Sequence, residues 1–213
     1  MKNLIIVGAR GWGREVYAAA KWCPAYRRGD FQIKGFLDSK TDAFEGLRGD
    51  YPPILGAPED YEIKKDDVFF IAMGDSLWRK HYAELMEAKG ATFMSIICDG
   101  AYVNPTAKIG DGSYIAGWTT VSDNVTIGNH VMIHGFSTIG HDCEIGDYSS
   151  LSAYVFLGGG VRLGEGATMY PKSMIIPHKK VGNNAVVAAA SVVMRNVADG
   201  LHVIGNPAKK IEF

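Results

Sequence analysis

From Val103 onward an aliphatic side chain stands at every sixth position. The series is Val103, Ile109, Ile115, Val121, Ile127, Ile133, Ile139, Ile145, Leu151, Leu157, Leu163, Met169, Ile175, Val181, Val187 and Val193, sixteen positions without an exception. Four residues after each aliphatic the side chain is Ala, Ser, Thr, Val or Cys, except at Lys179. Glycine follows the aliphatic directly at 110, 128, 140, 146, 158, 164 and 182. A period of six fits neither the 3.6 of a helix nor the 2 of an ordinary strand. It is the signature of a parallel β-helix, in which each hexad makes one short strand and one corner. Three hexads close a triangular coil of 18 residues, so sixteen hexads give about five coils. The aliphatic fills the prism, and the small residue lets the corner pack inside.

Before residue 98 the pattern is different. "KNLIIVG" reads as a buried strand and "GREVYAAAKW" as a helix with Val16, Ala19 and Ala20 on its apolar face. "FQIKGFLD" is a second strand, followed by a loop rich in Gly and Pro. A strand "DVFFIAMG", a helix "SLWRKHYAELMEAKG" and a last strand "TFMSII" complete the half. Strand–helix alternation predicts a small parallel α/β sheet over residues 1–97, followed by the β-helix over 98–213.

The first strand runs into "GARGWG", which places Gly8, Gly11 and Gly13 at a strand-to-helix turn. Backbone N–H groups at such a helix start can cradle a diphosphate. Asp38 ends the second strand, where an acid reaches a ribose or base in dinucleotide folds. Gly74 and Asp75 end the third. The glycine motif alone is weakly specific, because a tight strand–helix turn also needs it; with Asp38 after a second strand it favours nucleotide binding.

A net charge of −1 and a charged fraction of 21% exclude a nucleic-acid or anionic-membrane partner recognised by bulk charge. "LIIV" is too short for a secretory leader, and no stretch approaches the length of a membrane span. Cys23, Cys98 and Cys143 form no CxxC pair, so reduced thiols and a cytoplasmic location are expected.

The 18-residue coil makes one geometric inference possible. Residues 18 apart stack on one corner about 4.8 Å apart. His141 therefore lies over Asp123 and under Gly159, with Pro177 one coil further. It stands two places after its aliphatic, at a corner, pointing to solvent or a neighbouring subunit. Cys143 occupies one of the small inward positions and reads as core filler. His130, His134, His141 and His178 raise the question of a metal site, but no two are 18 apart and none share a column. No metal is expected.

At this level the chain resembles the sialic-acid O-acetyltransferase family of bacterial sugar acyltransferases, which includes N-acetyltransferases of nucleotide-activated amino sugars. The matching stretches are "IIVGARGWGREV", "GFLDS", "FIAMGDSLWRK", "IGHDCEIGD", "GGGVRLGEGA" and "VIGNPAKKI". The resemblance covers nearly the whole chain and implies a Rossmann-like α/β domain in front of a left-handed β-helix. It implies that His141 is a general base, Asp142 the acid that orients it, and Gly159 the backbone donor to the thioester oxygen. Gly8, Gly11, Trp12, Gly13, Asp38, Gly74, Asp75 and His134 fall at positions that imply substrate contacts. Ser150, Gly159 and Lys209 fall near the implied coenzyme. Four letters depart from the family's usual ones: Ser150 stands where many members have a second histidine, His134 where Asn is frequent, Trp12 in place of His, and Asp75 in place of Asn.

The resemblance thus implies an acetyl-CoA-dependent acetyltransferase acting on a nucleotide-linked sugar, assembled as a homotrimer with coenzyme between adjacent β-helices. An imidazole can take a proton from an amine or hydroxyl at neutral pH, and a fixed N–H can stabilise the oxyanion. Two other classes fit parts of the sequence: a γ-type carbonic anhydrase, which needs bound zinc, and a non-catalytic nucleotide-sugar-binding scaffold, which would tolerate loss of His141. A nicotinamide oxidoreductase is disfavoured, since nothing in the second half resembles a hydride-transfer site.

Overall fold

The computed structural model describes residues 1–211, which form two compact units, 1–96 and 97–211. The first holds a parallel three-stranded sheet of β1 (Lys2–Val7), β2 (Phe31–Leu37) and β3 (Asp67–Ile71), with β1 in the centre. Helix α1 (Gly11–Trp22) and the short α2 (Pro24–Arg27) connect β1 to β2, and α3 (Ser76–Ala88) follows β3. β1 and β3 are nearly continuous apolar runs, as expected of a parallel sheet covered on its faces, while β2 carries Gln32 and Lys34 in its more exposed first half. Leu4, Ile5, Ile6 and Val7 are fully buried, as are Phe69, Phe70 and Ile71. Helix α1 buries Gly13, Val16 and Ala20, a one-sided stripe, and leaves Ala19 half-buried.

One expected strand divides. "TFMSII" gives only a bridge of Phe93 to Phe69, and its last two residues form β4 (Ile96–Ile97), the first strand of a sheet in the second unit. Its hydrogen bonds to β3 stop after Thr92 and Met94, because the backbone from Ile96 on follows the first rung of the solenoid.

The second unit is a parallel β-solenoid. Sixteen two-residue strands, β5 (Tyr102–Val103) to β20 (Val192–Val193), each end on one of the sixteen aliphatics. Pairing is parallel with a register of 18: Thr138 faces Phe156 and Thr120, and Ile139 faces Leu157 and Val121. Three sheets of eight, six and five strands result, the eight-stranded one closed by β21 (His202–Ile204) and β22 (Lys209–Lys210). The prism interior is the stack of aliphatics together with the small fourth-position residues. Ser113, Ser137, Ser149, Ser173 and Ser191 are buried there, and their hydroxyls bond corner carbonyls such as Gly128 O and Gly164 O.

From Gly112 to Ala190 each corner turns through a left-handed residue three places after the aliphatic. Trp118, Asn124, His130, Phe136, Asp142, Tyr148, Tyr154, Lys172, His178, Asn184 and Ala190 all have φ between 52° and 63°. Only Asn and Asp tolerate that region comfortably among these. The others are held there by the rungs on either side, as Tyr154 N is by Gly135 O.

Candidate functional site

Two places in the molecule gather the residues singled out by the sequence. The first lies in the α/β unit, outside the carboxyl ends of its three strands, where ligands bind in open parallel sheets. A cavity of about 470 Å³ is lined there by Gly8, Arg10, Trp12 and Gly13 after β1, by Asp38 and Ser39 after β2, and by Met73 and Gly74 after β3; Trp78 and Tyr82 of α3 line it too.

The glycines are needed for approach. Gly8 has φ +104°, and a Cβ on Gly13 would collide with the Gly8 carbonyl. The α1 start packs directly on the strand end for that reason. Asp38 is buried, and both carboxylate oxygens are engaged: Oδ2 accepts from Ala9 N at 2.9 Å and Oδ1 from Lys40 N at 2.9 Å. Its first role is to hold the glycine loop against the end of β2. Arg79, fully buried, donates to the carbonyls of Met73 at 2.7 Å and Gly74 at 3.2 Å, fixing the third edge of the cavity. Burial raises the Tyr82 phenol above its ordinary pKa, and the carboxylates of Glu59 and Asp38 push the same way.

Two expected members of this group stand apart. Gly11 and Asp75 do not line the cavity. Asp75 caps α3, accepting from Leu77 N at 2.9 Å and Trp78 N at 3.1 Å. An N-cap of this kind stabilises a helix by about 1 kcal/mol. Sequence reasoning missed Arg10, Trp78 and Tyr82. The i, i+4 spacing of Trp78 and Tyr82, which puts them on one face of α3, was the available signal.

The second place is the corner between β11 (Thr138–Ile139) and β12 (Glu144–Ile145). His141 Nδ1 lies 2.7 Å from Asp142 Oδ2, and both side chains are exposed. With Nδ1 carrying the proton toward the carboxylate, Nε2 keeps its lone pair. Nε2 faces Gly159 one coil on: a Cβ built there would meet it at 2.5 Å. Asp142 sits below the usual carboxylate pKa because the Asn124 side-chain amide, and then the His141 imidazole, hydrogen-bond its ionised form. Asn124, one coil back, went unnoticed in the sequence.

The backbone N–H of Gly159 donates to no group of the chain among the described residues. The residue stacked above it, one coil further on, is Pro177, whose side chain has no acceptor to offer. Cys143 next to this corner is fully buried, and its thiol donates to Gly158 O at 3.2 Å. Burial raises its pKa, so it is packed as the serines are.

The remaining expected residues are dispersed. His134 follows β10 (Met132–Ile133), one corner before His141, and its ring lies 6.1 Å from that of Tyr114. Ser150 opens β13 (Ser150–Leu151), paired with Met132 and Thr168. Lys209 is exposed in the closing hairpin opposite Ile204. A larger groove of about 820 Å³ runs over the five-stranded sheet and its far corner, bordered by the Glu144–Arg162 ion pair, and contains none of these residues. Among the described residues no three His, Cys, Asp or Glu side chains are placed to share a metal ion. No helix among them is long and apolar enough to cross a membrane.

Comparison with known proteins agrees with both halves of this description. The model of the PglD N-terminal domain matches residues 3–86, and that of the bacterial transferase hexapeptide repeat matches residues 124–159. The two matches fall one in each unit, the first on the α/β sheet and the second on the middle coils of the solenoid. A UDP-N-acetylbacillosamine N-acetyltransferase of Bacillus subtilis is 32% identical over 116 residues, 54% of this chain; the match spans about half, 51%, of that relative. The acetyltransferase domain of PglB from Neisseria gonorrhoeae, solved with acetyl coenzyme A, is 25% identical with a TM-score of 0.87 over 99% of both chains. PerB from Caulobacter crescentus, solved with CoA and GDP-perosamine, shares the fold: TM-score 0.86, 24% identity, 100% of this chain and 98% of that one. Both solved structures share the fold over nearly the whole of this chain.

Proposed function

We propose that the protein transfers an acetyl group from acetyl-CoA to an amino group of a nucleotide-linked sugar, with His141 as general base. The observation that carries this reading is the corner at residues 141–159. There the Nε2 edge of an imidazole lies against Gly159, whose backbone N–H has no acceptor among the described residues.

In the reaction, Nε2 of His141 removes the proton from the acceptor as its lone pair attacks the thioester carbonyl carbon. Asp142 keeps Nδ1 protonated and stabilises the imidazolium that results. The Gly159 N–H donates to the oxygen that becomes negative in the tetrahedral intermediate. Collapse of that intermediate breaks the C–S bond, and CoA leaves as thiolate, which His141 can reprotonate. The absence of a side chain at Gly159 leaves room for the thioester beside the imidazole.

The cavity of the α/β unit supplies a place for the nucleotide. Gly8, Gly13 and the α1 start suit the diphosphate, and Trp12, Trp78 and Tyr82 offer flat faces to a base. A homotrimer is supported by an apolar corner of the solenoid: Trp118, Phe136 and Tyr154 are exposed one above the next, with Phe136 and Tyr154 stacked at 5.0 Å. Phe156 and Met174 extend that surface along the adjoining strands. A cytoplasmic site of action fits cysteines that form no disulfide among the described residues and a substrate that carries a nucleotide.

The test is release of free thiol from acetyl-CoA against a panel of UDP-, GDP-, dTDP- and CMP-linked amino and deoxy sugars. Turnover with one acceptor names the substrate class. Silence across the panel combined with failure to bind acetyl-CoA would remove the transferase reading and leave a nucleotide-sugar-binding scaffold in its place.

A further inference from the structure

We propose that Asn124 is a positioning residue for His141, acting through Asp142. Its side-chain Nδ2 donates to Asp142 Oδ1 at 2.7 Å, which leaves Oδ2 to take the imidazole Nδ1 at 2.7 Å. Each carboxylate oxygen therefore has one assigned donor, and rotation of the carboxylate about its own axis would break both bonds. Only one orientation of the Asn124 amide is chemically consistent, because turning it over would set a carbonyl oxygen against a carboxylate.

Asn124 is itself fixed from below. It occupies the left-handed corner position, φ +54°, where Asn is among the few residues at ease. Its backbone N–H donates to Thr106 Oγ1 at 2.8 Å. Residues 106, 124 and 142 are thus a column of three rungs, 18 residues apart, that ends at the imidazole.

The bond is not needed to hold the solenoid. Elsewhere on the corners an Asn or Asp side chain accepts a backbone N–H of the neighbouring coil, as Asn129 Oδ1 does from Asp111 N. At Asn124 the backbone N–H is already met by Thr106. The side-chain amide serves another side chain. The charged and titratable groups that bear on Asp142 are His141 beside it and His178 two coils on; Asp123, next to Asn124 on the preceding coil, meets it through its backbone carbonyl. Asn124 is the neutral donor among them, and it supports an ionised Asp142 without competing for the proton His141 must carry.

This inference rests on the proposed acetyltransfer for its kinetic consequence, but its structural part can be read without turnover. In protein labelled with ¹⁵N-histidine, long-range ¹H–¹⁵N correlation reports the tautomer and titration midpoint of His141 in the absence of substrate. Asn124→Asp preserves size and tolerance of the left-handed corner but replaces the donor by an acceptor. Asn124→Gly removes the side chain and keeps the corner unstrained. Wild-type protein is expected to hold the Nδ1–H tautomer. Asn124→Gly should lose that preference, and Asn124→Asp should raise the His141 midpoint by about 0.5–1 pH unit through the added negative charge. Both should lower kcat about tenfold, the lower end for loss of a group that orients a working histidine, with KM for acetyl-CoA within twofold.

Unchanged His141 signals in both variants, with kcat within twofold of wild type, would overturn the proposal. Should Asn124→Asp fail to fold, Asn124→Gly carries the same readouts. A wild-type protein without transferase activity but with altered His141 signals in the variants would sink the proposed function and leave the Asn124 relation standing.

Discussion

Two corners of the same solenoid use the same position in opposite ways. At the corner of residues 111, 129, 147, 165, 183 and 199, the side chains form a ladder that satisfies the backbone beside it. Asp111 N donates to Asn129 Oδ1, Asn129 N to Asp147 Oδ1, Glu165 N to Asn183 Oδ1 and Asn183 N to Asp199 Oδ1, all at 2.8–2.9 Å. At the corner of residues 105, 123, 141, 159 and 177 the letters are Pro, Asp, His, Gly and Pro. No such ladder exists there. A repeat that can close its own hydrogen bonds, and does so on one edge, forgoes them on another. The ladder is particular to one edge, and on the edge of His141 the Gly159 N–H has no acceptor among the described residues.

The comparison breaks most visibly at His141. His141→Ala is expected to lower turnover by about 10²–10⁴-fold, the usual contribution of a positioned proton acceptor, while the thermal midpoint barely moves, since the side chain is exposed. A loss below tenfold in thiol release would deny it the role of general base. The pH profile adds a sign. Asp142 is held below the usual carboxylate range, so it is ionised throughout the neutral region. Its contribution to holding the imidazole is present above the ordinary carboxylate pKa and is lost only as pH falls through the lower, folded value. The acid limb of kcat/KM is therefore expected to show one protonation, that of the imidazole, with a second only in stronger acid.

Gly159→Ala probes the N–H opposite. The backbone there is in an ordinary conformation, but the new methyl carbon would stand 2.5 Å from His141 Nε2. The imidazole must move, and a displacement of about 1 Å is enough for a loss of about 10²-fold. The unfolding midpoint should stay near that of wild type. A fully active Gly159→Ala would mean that the thioester is bound elsewhere. On the ladder corner the effects should be exchanged. Asn183→Ala removes an acceptor from Glu165 N and is expected to cost about 1 kcal/mol in chemical denaturation, with turnover within twofold. If it lost activity instead, the division between a structural and a chemical corner would be wrong.

The fold was open to reading because a period is a physical constraint repeated sixteen times. Each aliphatic from Val103 to Val193 is required by the same prism, and the register of 18 put Gly159 against His141 before any coordinates. The central strand β1 and its neighbour β3 were equally plain as apolar runs. What escaped depended on single contacts. Nothing in "SDNV" says that Asn124 reaches Asp142, because a corner Asn has an ordinary reason to be there, its ease at positive φ. Asp75 looked like a ligand residue, since it ends a strand; its other neighbour is a helix start, and the cap won. "TFMSII" was one strand by composition, yet its hydrogen bonds divide between β3 and the first solenoid rung, a choice set by tertiary pairing that no local pattern encodes.

The smallest expected effect falls next to the largest. Cys143 adjoins Asp142 and is the one thiol near the proposed chemistry, so a nucleophilic role is the rival to be removed. Its position argues otherwise. The Sγ is sealed in the prism and donates to Gly158 O, the same bond that Ser149 Oγ makes to Gly164 O at 2.7 Å one hexad further along the chain. Burial also raises its pKa, which disfavours the thiolate that a nucleophile requires. Cys143→Ser exchanges one buried donor for another of similar size and should change stability by less than about 1 kcal/mol, with kcat unaltered. In the folded wild-type protein Cys143 should resist alkylation that reaches it readily in denaturant. A Cys143→Ser variant that folded normally and lost turnover a hundredfold would overturn this reading and place the reacting group inside the prism.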